Sequence, residues 1–217
     1  RYAGGGEVTT EGEHITSDRG SDHRDSGRMD FLGQVHMVVD TLNVRSERVG
    51  YLPKARKLIL TDPAEVRHPS GGVDCVRGEW DLEAGGGWFA GDSSAVARFV
   101  DGDLVVTGDS LALSDALGVA RGRVLLTDTV GSYRLGGDAV DFERESDGGS
   151  GQVSLKGNAF AWLNEGDAPL LVQGPSITIA TDSAQQRMLF AEEGAVLHSD
   201  EVTGAAQRLE WSERAEQ

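Results

Sequence analysis

The chain has 217 residues and a formal net charge of −16, which argues against nucleic acid as a partner because binding a polyanion requires a basic surface. Glycine is abundant at 30 residues and proline is rare at 5, a composition typical of many turns between strands rather than of disorder. No apolar run is long enough to predict a membrane-spanning helix, and the single Cys75 has no cysteine to pair with. The first residues carry no apolar signal segment, so we expect that any export signal has been removed.

Apolar pairs recur along the chain, each alternating with small or polar residues. The first copy, which follows Gly12, is incomplete and keeps only Ile15. Six further copies follow at intervals of about 30 residues, with apolar residues three and five positions after the start of each copy. In chain order the pairs are Val49 and Tyr51, Trp80 and Leu82, Leu111 and Leu113, Val140 and Phe142, Ile177 and Ile179, and Leu209 and Trp211. We therefore predict one domain over residues 1–217, built from six or seven degenerate two-strand repeats.

Most repeats have a second apolar half, such as RVLL at 123–126, and several place a glycine two positions before an alternating pair. Gly122, Gly157 and Gly194 are in such positions. Alternation with period two indicates strands with one buried face, and no helical period is sustained. Two strands and two turns account for about 30 residues, which favours an antiparallel up-and-down arrangement. A parallel β-helix with one long turn per coil has the same length and stays open as an alternative.

Two stretches resemble a known family. They are GDSLALSDALGVARGRVLLTD at 108–128 and LFAEEGAVLHSDEVTGAAQRLEW at 189–211. Both are similar to the OstA-like repeats of the LptA-type lipopolysaccharide-transport proteins, which include LptA, the periplasmic part of LptC and the N-terminal domain of LptD. The family pattern is an L-x-A-x-G-x-V-x-L strand followed by L-x-A-x-x-L-x-W/Y, and this chain has one additional residue before Gly194. The resemblance covers about residues 30–212, with departures in the first unit, in the irregular 137–174 unit and in the strong acidity.

The resemblance implies a fold and a ligand. The fold would be a twisted, V-shaped (taco-like) antiparallel β-jellyroll that is open at both ends. Its apolar groove would shield the acyl chains of lipid A. The residues expected to line this groove are Val49, Tyr51, Trp80, Leu82, Leu111, Leu113, Val140, Phe142, Ile177, Ile179, Leu209 and Trp211. No catalytic motif defines the family, so we expect no enzymatic activity, no cofactor and no metal.

The resemblance also implies partners and a location. Family members are thought to form a bridge between the inner and outer membranes, which places this chain in the periplasm, with an association with the outer membrane. Unpaired edge strands invite pairing with related sheets. We expect such edges near residues 8–16 and 202–211. Related β-jellyroll proteins, or further copies of this chain arranged head to tail, would pair there.

Other interpretations remain open at this stage. Alternating apolar residues also form the core of a structural β-solenoid, such as an adhesin domain with a filled interior and no ligand. Oxygen and imidazole groups at Asp18, Asp22, His23 and Asp25 could hold a metal, but their spacing matches neither an EF-hand nor a zinc site, which favours a solvated loop. Arginines near the strand starts could contact phosphates or could be solvated surface residues; they are Arg45, Arg77, Arg121, Arg134 and Arg208.

Overall fold

The computed structural model describes residues 2–212, apart from residues 11, 70, 129, 131–132, 144–150, 166–167, 182–185 and 201. The described residues form 18 strands and one short 3-10 helix, Pro53–Ala55. The strands are β1 (Tyr2–Thr10), β2 (Glu13–His23), β3 (Arg28–Val39), β4 (Leu42–Leu52), β5 (Lys57–Leu60), β6 (Ala64–His68), β7 (Gly71–Cys75), β8 (Arg77–Asp81), β9 (Gly86–Ala90), β10 (Ala97–Asp101), β11 (Leu104–Gly108), β12 (Ser110–Leu113), β13 (Leu117–Asp128), β14 (Tyr133–Glu143), β15 (Gly151–Glu165), β16 (Ala168–Thr181), β17 (Arg187–His198) and β18 (Thr203–Ser212). The predicted all-β, antiparallel class is confirmed.

Period-two alternation explains why these segments are strands. In β13, Val124 and Leu126 are buried, whereas Leu125 between them is 39% exposed. A strand points successive side chains to opposite faces, so one face joins a core and the other meets water. The same alternation recurs in β4, β6, β14 and β17.

The described chain divides into two compact units. Unit 1 comprises Arg1–Gly102 and Ser110–Ser114, and therefore contains β1 to β10 and β12. Unit 2 comprises Asp103–Asp109 and Asp115–Gln217, and therefore contains β11 and β13 to β18.

Unit 1 is a meander that branches. Strands β1 to β4 pair in sequence order. Strand β4 then has two partners on one side: residues 43–46 pair with β6, and residues 49–52 pair with β5. One branch continues from β6 to β7 and β10, and the other from β5 to β8, β9 and β12.

Unit 2 is a meander over β13 to β18, with β11 added beside β13. Strand β11 pairs with β13, and strands β13 to β18 each pair with the next strand along the chain. Each hairpin connects neighbours, so the predicted up-and-down arrangement describes this unit directly.

The long strands of both units share an interruption near their middle, which we call the crease. In unit 1 the pairing register shifts between Thr16 and Arg19 and between Leu32 and Val35. In unit 2 every pairing from β13 to β18 has a corresponding shift, one of them between Arg121 and Val124. Shifts of this kind mark β-bulges, which bend a strand and increase its twist.

Glycine makes the bend feasible at the crease. Gly122 has φ +66° and is followed by Arg123 at φ +47°, so two successive residues adopt the left-handed conformation. A Cβ at Gly122 would overlap the carboxylate of Asp109, and Arg123 Nε donates to that same carboxylate across 2.6 Å. Gly157 repeats the arrangement, with Asn158 Nδ2 donating to Asp138 across 2.9 Å. The glycines that the sequence places before an alternating pair are therefore the bending points of the sheet.

Candidate functional site

The sheet of unit 2 folds back on itself at the crease. Tyr133 pairs with Leu163 of β15, which pairs with Leu170 of β16, so Tyr133 lies level with Leu170. Arg187 of β17 pairs with Thr181, which is also in β16. Leu170 and Thr181 are eleven residues apart, which would be about 36 Å along a straight strand. Yet the Arg187 guanidinium lies 5.1 Å from the centre of the Tyr133 ring. Only a sheet whose two ends face each other can bring these side chains together.

Unit 1 folds back in the same way. Glu13 pairs with Val39, which pairs with Leu42, so Glu13 lies level with the first residue of β4. Tyr51 is nine residues further along β4, about 30 Å on a straight strand. The Tyr51 hydroxyl nevertheless donates a hydrogen bond to the Glu13 carboxylate. The rings of His68 and Trp80, which lie on the two branches of unit 1, are 6.1 Å apart between centroids.

Each unit thus has two walls that meet at the crease and a mouth where their far ends come together. In unit 1, we call wall 1 the half that carries β6, β7 and β10, and wall 2 the half that carries β5, β8, β9 and β12. In unit 2, wall 1 is the half that carries β11, and wall 2 is the half that carries residues 117–121 of β13. The inner faces of both walls are apolar and buried.

The mouth of unit 1 is joined by polar contacts. Tyr51 is 1% exposed, and burial together with the hydrogen bond to Glu13 raises its pKa above the ordinary tyrosine value. Arg56, directly after the 3-10 helix, forms an ion pair with Asp40 in the turn between β3 and β4. The Tyr51 hydroxyl therefore stays protonated at neutral pH and acts as a donor that ties the two walls together.

The interiors of the two units differ in side-chain size. Unit 1 buries five aromatic residues, namely Phe31, Tyr51, Trp80, Phe89 and Phe99. In the described part of unit 2 the buried aromatic residue is Phe142, whereas five alanines are buried there: Ala120, Ala159, Ala161, Ala191 and Ala195. The interior of unit 2 is therefore lined by shorter side chains.

Two arginine–aromatic contacts distinguish the inner and outer faces of unit 2. Arg187 has the same strand phase as the buried Leu189, so it points to the inner face, where it lies over Tyr133. Arg134 is adjacent to Tyr133 in sequence, but it points outward and lies 5.6 Å from the centre of the Trp162 ring. Arg187 is thus a half-buried cation at the mouth of unit 2.

The residues that the sequence analysis assigns to a groove all lie on wall 2 or at its end. Nine are buried: Val49, Tyr51, Trp80, Leu111, Leu113, Val140, Phe142, Ile177 and Ile179. Leu82, Leu209 and Trp211 are half-buried, and Leu82 lies in the turn after β8 rather than in a strand. Cross-strand register aligns them in rows, such as Ala120, Val140, Leu155, Ile177, Ala191 and Leu209.

Sequence reasoning did not assign the opposite wall. Its buried residues include Met37, Val44, Val66, Phe99, Leu126, Leu135, Ala161 and Val172. The signal for two of them, Leu126 and Ala161, was the second apolar part of their repeats, which has the alternation of a buried strand. The position of Arg187 could also have been read from its phase, since it precedes Leu189 by two residues.

The chain-terminal strands have exposed edges. In the described pairings β1 has the single partner β2, and β18 has the single partner β17. Of the edge predicted at 8–16, residues 8–10 belong to β1, but residues 13–16 lie in β2, which is paired on both sides. The edge predicted at 202–211 coincides with β18, which is mostly exposed except for the half-buried Leu209 and Trp211.

The other candidate groups have structural environments of their own. Asp18 lies against Gly33 at the crease, Asp22 is 4.0 Å from Arg24, and His23 pairs with Asp30 at 2.9 Å. Among the described residues, no group of three or more histidine, cysteine, aspartate or glutamate side chains is placed to hold a metal ion. Burial raises the pKa of Cys75 to about 12, so its thiol stays protonated and unreactive at neutral pH.

The arginines near the strand starts are surface residues. Arg45, Arg77, Arg121, Arg134 and Arg208 are all exposed. Arg121 forms an ion pair with Asp141 at 2.8 Å, and Arg208 lies 3.7 Å from Glu210. The solvated interpretation therefore describes their positions.

A search against models of protein families and against curated proteins finds no match to this chain. Within the described ranges, no helix has the length and apolar character needed to cross a membrane.

Proposed function

We propose that this chain is a non-enzymatic lipid-binding protein that shields the acyl chains of lipopolysaccharide in an apolar groove and helps to bridge the inner and outer membranes across the periplasm. The observation that carries the proposal is the pair of facing apolar walls in each unit, which are formed by folding one meander at its crease. The similarity of residues 108–128 and 189–211 to OstA-like repeats supports the same class of ligand.

Such a carrier must remove the acyl chains of its lipid from water. Each methylene group moved out of water contributes about 0.8 kcal/mol, so a twelve-carbon chain represents roughly 10 kcal/mol. A row of apolar residues across neighbouring strands offers a matching surface. In unit 2 the row from Ala120 to Leu209 crosses six strands, which is about 24 Å at about 4.8 Å between strands.

Loading requires the walls to part, because their side chains now fill the space between them. Unit 2 is better suited to this than unit 1. Its five buried alanines contribute short side chains, so separating the walls there exposes less apolar surface of the protein itself. The half-buried Leu209 and Trp211 extend the inner face of wall 2 to the edge of the sheet.

Photo-crosslinking along β18 tests the proposal. A benzophenone amino acid replaces Trp211, which faces inward beside Leu189, and in a second variant it replaces Glu210, which faces outward. We expect crosslinks to lipid A from position 211 and few from position 210, with circular dichroism showing that both variants fold. Equal labelling at the two positions, or no labelling at either, would contradict the proposal.

Native mass spectrometry provides the complementary measurement. We expect a one-to-one complex with lipid A that a second lipid A displaces and a single-chain detergent does not. A folded, β-rich protein that yields no complex would support the second candidate instead.

That second candidate is a structural, adhesin-like β domain with a filled interior. It is favoured by Val140, Ala161 and Leu189, which have no exposed surface. In this case the walls stay together, and adding lipid A leaves the hydrogen exchange of β13 to β17 unchanged.

Edge pairing is the proposed route to partners. Strands β1 and β18 each offer one edge to a related β-jellyroll protein or to another copy of this chain. Light scattering over a concentration series should then show head-to-tail assembly. A strict monomer at all concentrations would count against pairing between copies of the chain.

A further inference from the structure

Wall 1 of unit 2 has an apolar outer face in addition to its apolar inner face. Two rows of side chains cross its seven strands, which are β11 and β13 to β18. Their neighbours along the strands, such as Leu126, Leu135 and Ala161, are buried in the interior, so the strand phase points the two rows outward. We call these fourteen residues the apolar outer face: Val105, Thr107, Leu125, Thr127, Arg134, Gly136, Phe160, Trp162, Leu171, Gln173, Val196, His198, Thr203 and Ala205.

The apolar outer face also differs in charge from the rest of the chain. None of its fourteen residues has a carboxylate, although the chain has 36 aspartate and glutamate residues. Apart from His198, its ionisable side chain is Arg134, whose guanidinium lies 5.6 Å from the centre of the Trp162 ring. The corresponding rows on the outer face of wall 2 contain three cations and three anions, which are Arg121, Asp141, Lys156, Glu192, Arg208 and Glu210. The two outer faces of unit 2 therefore suit different surroundings.

Large side chains on the apolar outer face are accessible to water. Leu125 is 39% exposed. The half-buried members are Phe160, Trp162, Leu171 and Val196. The Phe160 ring lies over Gly136, where a Cβ would overlap it, so the ring is held against the sheet. Aromatic and aliphatic side chains that are exposed together on one face are typical of an interaction surface.

The size of the apolar outer face argues against a second copy of the chain as its occupant. Six inter-strand spacings of about 4.8 Å, and two rows that each cover about 7 Å of strand, give an area of roughly 400 Å². A stable protein dimer buries about 800 Å² on each partner. A second copy would also bring another net charge of −16 close to the first.

A phospholipid bilayer fits the size and the chemistry of this face. Tryptophan, phenylalanine and leucine side chains partition into the interface between headgroups and acyl chains, and arginine pairs with phosphate there. The backbone groups of a sheet are already paired with one another, so the face can leave water without losing hydrogen bonds. In the same position, the outer face of wall 2 would have to bring six charged side chains out of water.

We propose that the apolar outer face docks unit 2 on the surface of a phospholipid bilayer. Leu125, Phe160 and Trp162 enter the interface, and Arg134 contacts lipid phosphates. Docking uses the outer side of wall 1 and not the space between the walls. The inference is therefore independent of the proposed function, and either can fail without the other.

Flotation with phosphatidylcholine vesicles at physiological ionic strength measures docking. Leu125→Glu and Met188→Glu form a matched pair, because Met188 is 37% exposed but lies on the outer face of wall 2. We expect Leu125→Glu to lower partitioning into vesicles at least about tenfold, because a charge replaces a leucine in the interface. Met188→Glu should partition within about twofold of the unmodified chain, with circular dichroism showing that both variants fold. Equal partitioning of the two variants would overturn the proposal.

A second pair repeats the comparison without adding a charge. Trp162→Ser removes an aromatic side chain from the apolar outer face. Phe190→Ser removes a half-buried aromatic side chain from the outer face of wall 2, where Phe190 pairs with Thr178 and Glu210. We expect Trp162→Ser to lose binding to vesicles and Phe190→Ser to retain it. The reverse order would assign docking to wall 2 and overturn the proposal.

A polarity-sensitive fluorescent label reports which face meets the bilayer. Leu125→Cys and Met188→Cys each provide one reactive thiol, because Cys75 is buried and stays protonated. On addition of phosphatidylcholine vesicles, we expect the emission to shift to shorter wavelength at position 125 and to stay unchanged at position 188. Equal shifts at the two positions, or no shift at position 125, would contradict docking by this face.

Protein concentration separates a bilayer from a second copy. Without vesicles, the emission of the label at position 125 should not depend on protein concentration. A shift that grows with concentration, together with a dimer in light scattering that Leu125→Glu dissociates, would assign the face to a second copy and overturn the proposal.

Discussion

In both units the sheet bends at a crease, but different contacts join the two walls at the mouth. In both, strands bend at a crease, and side chains from different strands meet at the mouth although the pairing register places them about ten residues apart along the strand direction. Unit 1 joins its mouth by a part-buried tyrosine–carboxylate hydrogen bond, the Arg56–Asp40 ion pair and the His68–Trp80 contact. Unit 2 presents the Arg187–Tyr133 contact over an interior that is rich in alanine.

This difference indicates that the walls of unit 1 are held together more strongly than those of unit 2. A part-buried hydrogen bond to a carboxylate is among the stronger single contacts in a protein, whereas an arginine over a half-exposed ring contributes less. Aromatic side chains fill unit 1, so opening it would expose large apolar surfaces. Under the proposed function, we therefore expect unit 2 to open more readily than unit 1.

Truncation of the mouth tyrosines gives the largest expected effect. Tyr51→Ala removes a fully buried ring and should lower the free energy of unfolding by about 3–5 kcal/mol. Tyr133→Ala removes a half-buried ring and should cost about 1 kcal/mol. Urea titration followed by circular dichroism measures both. Similar losses at the two positions would remove the contrast between the mouths.

Deleting only the hydroxyl of Tyr51 sharpens the comparison. Tyr51→Phe should cost about 2 kcal/mol, because the hydrogen bond from the Tyr51 hydroxyl to the Glu13 carboxylate is lost. Hydrogen exchange should rise in peptides of β2 and β4 and stay unchanged in β14 to β17. An increase spread evenly over both units would show that Tyr51 does not act through the mouth of unit 1.

The raised pKa of Tyr51 also predicts a pH dependence. The folded chain holds the phenolic proton above the ordinary pKa of 10.0, whereas the unfolded chain releases it there. Stability from this group is therefore complete below pH 10 and falls as the pH rises above it, by up to about 1.4 kcal/mol per pH unit. Between pH 9 and pH 11, unfolding in urea should depend less on pH in Tyr51→Phe than in the unmodified chain. Equal slopes would contradict the assigned environment.

Alternation in the sequence predicts the strands and which residues of wall 2 face inward, but it does not predict that two walls face each other. In alternating pairs such as Val140 and Phe142, the sequence of one strand is enough to predict which of its side chains are buried, because apolar residues at every second position lie on one face. The alternation is interrupted at the crease. At Gly157 and Asn158 two successive left-handed residues shift the pairing register, so the alternation before them does not predict which residues are buried after them.

The mouth contacts were beyond sequence reasoning for a different reason. Glu13 and Tyr51 are 38 positions apart, and they meet only because the whole sheet bends. No local pattern reports the angle of a bend, although the repeated glycines at 33, 122 and 157 mark where it occurs. The aromatic residues of unit 1 and the alanines of unit 2 are visible in the sequence, but only the structure shows that they line the spaces between facing walls.

The crease is the feature that the units share, so its glycines should respond alike. A Cβ at Gly33 would overlap Asp18, and a Cβ at Gly122 would overlap Asp109, in each case with φ positive. Gly33→Ala and Gly122→Ala should each cost about 2 kcal/mol, from left-handed strain and displacement of the aspartate. Gly194→Ala is the control, because φ is positive there but the space is empty, and it should cost about 1 kcal/mol. Clearly different losses at Gly33 and Gly122 would mean that the two creases are not equivalent.

The smallest expected effect concerns the ion pair at the mouth of unit 1. The side chains of Arg56 and Asp40 are 41% and 54% exposed, so water and salt screen their attraction. Arg56→Gln should lower stability by less than about 1 kcal/mol in dilute buffer, and the difference should disappear in 1 M sodium chloride. Arg208→Gln, which removes a looser pair on the exposed β18, should have no measurable effect in either buffer. A large, salt-independent loss for Arg56→Gln would mean that the ion pair, rather than the buried Tyr51 hydroxyl, holds unit 1 closed.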